Sequence, residues 1–178
     1  MLQECSILQV AAIFFNEPTK SHYLMEISIK SQIAHTSVKN YLHQLQKQHI
    51  IQETIEKKGK RNFPLYHAHL NHNKYQKYKQ IYNLIQLEES SLISFLKDQC
   101  MPKSIILFGS YFRGEDLEDS DIDIFIESKY EKLDIAKFEK QLNRKIQLHF
   151  KEKFQSYPKE LKNNILNGLI MSGYLEVF

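Results

Sequence analysis

The chain has 178 residues, of which 42% are hydrophobic and 25% charged, and its formal net charge is +3. These values are typical of a globular protein with one or two domains. No apolar run approaches the ~20 residues that span a membrane, and the N-terminus lacks the basic start of a signal peptide. Cys5 and Cys100 have neither disulfide nor zinc-ligand spacing, which favours a cytoplasmic protein.

Charge is unevenly distributed along the chain. Residues 1–80 contain 11 Lys and Arg against 5 Asp and Glu, whereas residues 81–178 contain 13 against 16. A basic half beside an acidic half indicates two domains with different partners. We therefore expect an α+β protein with one domain over 1–70, a linking segment over 71–99 and a second domain over 100–178.

The first 50 residues predict three helices. Apolar residues spaced for one helical face run from Leu2 to Phe15 and predict the first. A second is predicted over 22–28, with Ser21 as its cap. A third would begin at a cap on Thr36 or Ser37. Its predicted buried positions are Val38, Tyr41, Leu42 and Leu45.

Two strand-like segments follow, 50–56 and 63–70, joined by a basic tip at 57–61. This order is that of a winged helix-turn-helix, and residues 3–70 resemble winged-helix regulators of archaea and bacteria. In such a domain the third helix enters the major groove of DNA and the wing neutralises phosphates. The implied DNA-binding residues are Ser37, Lys39, Asn40, His43, Lys58, Lys60 and Arg61. A winged helix that contacts proteins is the alternative.

A group of histidines, His67, His69 and His72, follows the wing. Metal sites of this kind need further ligands, and no cysteine or carboxylate completes the set. The sequence therefore favours a structural or solvated role over a zinc site.

Residues 71–99 predict a long helical segment that Ser90-Ser91 breaks in two. Apolar and aromatic side chains recur along it at spacings near three and four. They are Tyr75, Tyr78, Ile81, Tyr82, Ile85, Leu92, Ile93 and Leu96. Such a stripe would pair with its copy in a homodimer, or pack on the domains of its own chain.

Residues 104–127 predict a strand, a tight turn, a short helix, an acidic loop and a second strand. The apolar run 105–108 has strand length. Gly109-Ser110 ends it, and a small residue there lets the main chain approach a bulky anion. Asp121 and Asp123 open the second strand. Because residues i and i+2 of a strand share a face, their carboxylates would stand side by side next to the turn.

Two adjacent carboxylates repel each other, and a divalent cation relieves that repulsion. Mg²⁺ is usually held by one or two carboxylates together with substrate phosphates. A phosphate-accepting turn beside such a pair therefore predicts metal-assisted transfer of a nucleotide. The alternative is a solvated acidic cluster, formed by Glu115, Asp116, Glu118 and Asp119.

The run GSYFRG followed by SDIDIFIE resembles the signature of nucleotidyltransferases related to DNA polymerase beta, and is most similar to their small, minimal members. The resemblance covers roughly residues 100–150. It implies that Gly109, Ser110 and Arg113 bind the phosphates of a nucleoside triphosphate, expected to be ATP. It also implies that Asp121 and Asp123 are catalytic and hold Mg²⁺ or Mn²⁺. Some minimal nucleotidyltransferases are antitoxins that modify a toxin, so a protein partner is permitted.

The family pattern includes a third carboxylate on a later strand, which helps to activate the attacking hydroxyl. The candidate strand is 145–150, and the matching position holds Gln147. A neutral amide cannot be a general base and is a poorer ligand for a hard cation. Glu127 and Glu139 are candidate replacements.

Three functions therefore stay open for the second domain. The first is a transferase that moves a nucleoside monophosphate to a hydroxyl. The second is a catalytically impaired, nucleotide-sensing transcription regulator. The third is a dimerisation platform without nucleotide.

A helix over 134–142, a third strand over 146–150, and a last helix from Pro158 to Met171 would complete a small α/β sheet, with 174–178 as a strand or tail.

Overall fold

The computed structural model describes residues 5–152, 154 and 158–176, and it divides the chain into two compact units, Met1–Tyr82 and Asn83–Phe178. Eight α-helices and seven strands are found in these described residues, so the predicted α+β class is confirmed. None of the described helices has both the length and the apolar character needed to cross a membrane. The boundary between the units lies inside the segment 71–99 that was predicted as a linker.

The first unit combines helices with a small antiparallel sheet. Its elements are α1 (Ser6–Asn16), β1 (Ser21–Tyr23), α2 (Leu24–Ser31), α3 (His35–Lys47), β2 (Ile51–Lys58) and β3 (Arg61–Ala68). The strand order is β1-β3-β2, and Lys58 pairs with Arg61 across the predicted turn at the hairpin tip. The predicted start of the first helix at Leu2 lies outside the described residues.

The segment predicted to begin the second helix is a strand instead. Residues 21–23 pair with 65–67 of β3, so α2 begins only after this strand. His22 is fully buried, with its Nδ1 2.9 Å from Glu26 Oε1 and its ring packed edge-on against Phe14 at 5.6 Å. These tertiary contacts hold His22 in an extended conformation, which outweighs the local helix-capping signal.

The buried face of α3 agrees with the prediction, whereas the helix begins earlier than predicted. The fully buried positions are Val38, Leu42 and Leu45, and Tyr41 packs on the same core while partly buried. The helix begins at His35 after Ala34, which provides no side-chain cap. Thr36 and Ser37 therefore lie inside the first turn, and neither is the cap.

Three histidines gather at the turns that flank the hairpin, but His49 takes the place predicted for His67. The ring of His72 stacks on His49 and contacts His69, with both centroid distances 4.9 Å. The Lys74 N–H donates to His72 Nδ1 at 3.2 Å. Desolvation, followed by the neighbouring imidazoles and Lys74, lowers the pKa of His72 below its usual 6.5. A neutral His72 therefore caps the next helix, which is a structural role.

The long helical segment breaks where the sequence predicts. It forms α4 (Asn73–Ser90) and α5 (Leu92–Cys100), separated by Ser91 with a left-handed φ of 60°. Five of the eight residues of the apolar stripe are buried: Tyr75 and Tyr82 in the core of the first unit, and Leu92, Ile93 and Leu96 in that of the second. Tyr78 and Ile81 stay about half exposed. Packing within the chain thus accounts for most of the stripe, and the homodimer stays a prediction.

The second unit is built on a four-stranded sheet in the order β6-β5-β4-β7. Its further elements are β4 (Ser104–Phe108), α6 (Gly109–Arg113), β5 (Ile122–Ile126), α7 (Ala136–Leu142), β6 (Ile146–Phe150), α8 (Lys159–Leu166) and β7 (Leu169–Gly173). Strand β4 is antiparallel to β5 and β7, whereas β5 and β6 are parallel. All five residues of β4 and four of the five in β5 are buried, so the core holds the ends of these strands in place.

The C-terminal segment differs from the prediction. The last helix ends at Leu166 rather than Met171, and residues 169–173 form a fourth strand instead. Ile170 of this strand lies opposite Ile106 of β4. Pairing with a fully buried strand outweighs the local helical pattern, because strand formation depends on its neighbours. Residues 177–178 of the predicted tail lie outside the described residues.

Candidate functional site

The acidic pair lies where the ends of three strands meet. Asp123 is opposite Phe108, the last residue of β4, and beside Gln147 of β6. Asp121 comes just before β5. Both aspartates are partly exposed, whereas Ile122 between them is fully buried. This alternation places the two carboxylates on one side of the strand, as the spacing predicts.

Gly109 brings the main chain against the Asp123 carboxylate. Its φ of +81° is one that side chains rarely allow. A Cβ atom at this position would overlap Asp123 Oδ2 and lie 3.3 Å from Asp123 Cγ. Two independent constraints, backbone conformation and space, therefore require glycine at the turn.

Side chains of β6 bind both carboxylates. Gln147 Nε2 donates to Asp121 Oδ2 at 3.0 Å, and His149 Nε2 lies 3.2 Å from Asp123 Oδ1. The His149 ring also packs on Phe108, with centroids 5.2 Å apart. These contacts offset the repulsion that two adjacent carboxylates would otherwise feel. Sequence reasoning missed His149, although its spacing of two from Gln147 indicates the same face of the strand.

The glutamates considered as replacements for the third carboxylate are engaged elsewhere. Glu127 is buried and accepts hydrogen bonds from Ser104 Oγ at 3.0 Å and Phe154 N–H at 3.4 Å. Glu139 accepts the Ile146 N–H at 3.1 Å. Within residues 5–152, 154 and 158–176, no group of three or more His, Cys, Asp or Glu could hold a metal ion. Mg²⁺ is usually held by one or two carboxylates together with waters and substrate phosphates, so this donor set suits a Mg²⁺ ion that arrives with a nucleotide.

Asp116 anchors the acidic loop that leads to the pair. It is 1% exposed, accepts a hydrogen bond from Asn83 Nδ2 at 2.8 Å, and lies 3.6 Å from Arg144 Nη2. Asn83 Nδ2 also donates to the Tyr111 carbonyl at 2.8 Å. Removing one partner of a buried ion pair typically costs about 3–5 kcal/mol. The interpretation as a solvated cluster is therefore wrong for Asp116, which fixes the loop before Asp121.

The other predicted phosphate-contacting residues lie on the five-residue helix α6. Ser110 is partly buried at its second position. Arg113 is half exposed, and its Nε donates to Glu115 Oε2 at 2.6 Å. The guanidinium has further N–H donors on its Nη atoms, so contact with a phosphate does not require Arg113 to leave Glu115.

The predicted DNA-binding residues lie on two surfaces of the first unit. On α3, Lys39, Asn40 and His43 are exposed and Ser37 is partly buried; on the hairpin, Lys58, Lys60 and Arg61 are exposed. Lys58 Nζ donates to Tyr23 Oη at 2.7 Å and lies 3.4 Å from Glu56 Oε2. Its charge is thus partly balanced within the hairpin.

Comparison with known proteins finds one family model that matches within the second unit. Residues 89–171 match the family model described as “Nucleotidyltransferase domain”. Two proteins of Methanocaldococcus jannaschii, each named “Putative protein adenylyltransferase”, are 66% identical over 32 residues and 56% identical over 43 residues. The alignments cover 18% and 24% of this chain, and 32% and 49% of the relatives. The chain therefore spans at most about half the length of these relatives.

One solved structure is also similar, “Possible transcriptional regulator from Methanosarcina mazei Go1”. Its TM-score is 0.37 at 21% identity, over 53% of this chain and 78% of that chain. The family model and the two adenylyltransferase-named relatives support the nucleotidyltransferase superfamily for residues 89–171.

We expect Gly109→Ala to destabilise the protein more than Gly59→Ala does. Both glycines have positive φ, but a Cβ at Gly59 has no atom within 4 Å. Gly59→Ala should cost about 1 kcal/mol from backbone strain. Gly109→Ala should cost about 1–3 kcal/mol more, because its Cβ displaces the Asp123 carboxylate. Urea unfolding of both variants measures the difference, and equal costs would contradict the close approach.

Proposed function

We propose that the protein is a nucleotidyltransferase that transfers a nucleoside monophosphate to a hydroxyl group. The observation that carries the proposal is the acidic pair, Asp121 and Asp123, held against the Gly109 turn inside the residues that match the nucleotidyltransferase domain. The match by itself supports a triphosphate substrate and a divalent metal in general terms. ATP as the donor and Mg²⁺ or Mn²⁺ as the metal are part of the proposal.

In this proposal the turn and the pair have separate tasks. Gly109 and Ser110 bind the triphosphate through the main chain, and Gly109 has no side chain of its own to obstruct that approach. Asp121 and Asp123 hold the metal, which when bound stabilises charge that develops on the phosphate oxygens. The acceptor oxygen attacks the α-phosphorus, the bond from the α-phosphorus to the pyrophosphate oxygen breaks, pyrophosphate leaves, and the hydroxyl proton passes to solvent.

The acceptor is proposed to be a hydroxyl of a protein side chain. The names of the two relatives describe protein adenylyltransferases, which supports ATP as donor and a protein as acceptor. A toxin as that protein, and a homodimer that uses the exposed Tyr78 and Ile81, are further parts of the proposal. A toxin partner would be modified at a hydroxyl that fits beside the acidic pair.

We expect calorimetry to show ATP binding that requires Mg²⁺ and is lost in the Asp121→Asn, Asp123→Asn double variant. Mg²⁺ alone should bind weakly, because two carboxylates without phosphates leave its shell incomplete. The asparagines keep the shape of the aspartate side chains and remove their charge, so a loss of ATP binding indicates that the metal is no longer held. Asp98→Asn with Asp134→Asn, at exposed positions, is the matched control. Metal-dependent ATP binding retained in the Asp121, Asp123 variant would refute the site assignment.

A nucleotide-sensing regulator is the second candidate function. The observation in its favour is that Gln147 replaces the third carboxylate of the family pattern, while Gln147 and His149 already bind the two aspartates. A chain with this arrangement could bind the metal–nucleotide complex without activating an acceptor hydroxyl. Binding would then change DNA affinity and yield no product.

We expect Gln147→Glu to separate the two candidate functions. The glutamate adds a third carboxylate, so Mg²⁺-dependent ATP binding should tighten by about tenfold. Transfer of label from α-labelled ATP by both the wild type and this variant supports the transferase, whereas transfer by the variant alone supports the sensor. Gln147→Met has a similar size without charge or donor and controls for the lost hydrogen bond. If Gln147→Glu binds no more tightly than Gln147→Met, β6 does not contribute to the metal site.

We also propose that the first unit is a winged helix that binds DNA. Support comes from the strand order β1-β3-β2, the exposed polar face of α3 and the basic hairpin tip. In this arrangement α3 enters the major groove and the tip contacts phosphates. The function of DNA binding would be the regulation of transcription.

The triple variant Lys58→Gln, Lys60→Gln, Arg61→Gln should weaken DNA binding for all sequences. Each lost phosphate contact should lower the slope of log K against log salt by about one. Fluorescence anisotropy at several salt concentrations measures this slope. Lys129→Gln, Lys132→Gln, Lys140→Gln removes as much exposed charge from the second unit and should leave the slope unchanged. An unchanged slope in the wing variant would mean that the wing does not contact DNA.

A further inference from the structure

A cavity of about 510 Å³ opens on the surface of the first unit beside the hairpin. Small-molecule sites usually have about 300–1,000 Å³, so the volume suits a compact ligand. The lining residues are Tyr23, Leu24, Met25, His35, Lys58, Phe63 and Pro64. Five of the seven are apolar or aromatic, and two carry nitrogen atoms that can be positively charged.

The topology of the first unit builds this cavity. Strand β1 stops at Tyr23, opposite Leu65, whereas the hairpin of β2 and β3 continues to its tip at Lys58 and Arg61. Phe63 therefore extends beyond the end of β1. The first residues of α2 and α3 form the facing wall. Each wall belongs to a regular element, so the cavity does not depend on a loop.

Apolar surface at this site is open to solvent. Met25 is 58% exposed, and Pro64 is exposed as well. His35 Nε2 lies 3.1 Å from Met25 Sδ, which ties the start of α3 to the start of α2 across the wall. A ligand with an apolar body would cover this surface, and burial of apolar area favours such binding.

The charge at the rim favours an anion. Lys58 Nζ lies 4.7 Å from the centroid of the Tyr23 ring, and none of the described residues that line the cavity is acidic. Glu56 balances part of the Lys58 charge, through its ion pair with Lys58 and a hydrogen bond from Tyr23 Oη. An anionic group on the ligand would replace this partner at Nζ.

We propose that the cavity binds a small amphipathic anion, with its aromatic or aliphatic body against Met25, Phe63 and Pro64 and its anionic group at Lys58. Lys58 is also one of the residues proposed to contact DNA. The ligand would therefore compete with DNA and act as an effector, a consequence that rests on the proposed DNA binding. The site itself does not depend on that proposal.

The test uses two fluorescent probes with the full chain: the anion 8-anilinonaphthalene-1-sulfonate and its neutral analogue N-phenyl-1-naphthylamine. We expect saturable binding of the anionic probe at one site per chain. Met25→Asp should weaken the binding of both probes by about tenfold, because the new carboxylate would be desolvated against the apolar rings of the probe. Lys58→Gln should weaken the binding of the anionic probe alone, by about fivefold.

Ile29→Asp is the matched control, because Ile29 lies on the same helix, is 70% exposed and does not line the cavity. Met25 is in the first turn of α2, where a carboxylate is compatible with the helix dipole, so Met25→Asp should fold. An unfolding midpoint for each variant checks this. Equal probe binding by the wild type and Met25→Asp, or equal losses in Met25→Asp and Ile29→Asp, would overturn the site.

Adding DNA to the probe complex separates this proposal from the proposed DNA binding. Displacement of the anionic probe by DNA supports both the cavity and its role as an effector site. Probe binding by a protein that does not bind DNA supports the cavity and refutes the DNA-binding proposal. DNA binding without any saturable probe site refutes the cavity alone.

Discussion

The contact between the Gly109 main chain and the Asp123 carboxylate is the constraint on which the candidate site depends. The carboxylate occupies the space that a Cβ atom would need, and the φ of +81° excludes most side chains independently. The buried strands β4 and β5 hold the two groups in register, with Phe108 opposite Asp123. The turn and the acidic pair are therefore placed together by the core, before any ligand is bound.

Local sequence predicts the parts of this protein whose conformation depends on neighbouring residues, and fails where the conformation depends on a distant strand. Strand β5, the Gly109 turn and the break at Ser90-Ser91 each follow from residues adjacent in sequence. Strands β1 and β7 do not, because each owes its conformation to pairing with a distant strand. Asp116 was missed as a site residue for a related reason, since its partner Asn83 is 33 positions away.

Electrostatics links the unusual residue Gln147 to the rest of the site. A third carboxylate would increase repulsion in the absence of metal, and a donor amide reduces it. With Gln147 on Asp121 and His149 beside Asp123, the pair is stabilised without a cation. The metal affinity of the pair alone stays low, because two carboxylates complete only part of the ligand shell of Mg²⁺. Phosphate oxygens that arrive with the ion would compensate, which couples metal binding to nucleotide binding.

Several charged residues that are proposed to bind ligands already have partners within the protein. Arg113 pairs with Glu115, Lys58 with Tyr23 and Glu56, and the aspartates with β6. A ligand can replace such a contact or bind beside it, because a guanidinium and a carboxylate each have further hydrogen-bonding atoms. Such an exchange lowers the net affinity of a single contact, since one charge-assisted bond is traded for another. It also holds each side chain in position beforehand, which reduces the entropy lost on binding. Specificity then depends more on the close approach of the main chain at Gly109 and on the apolar wall around Phe63.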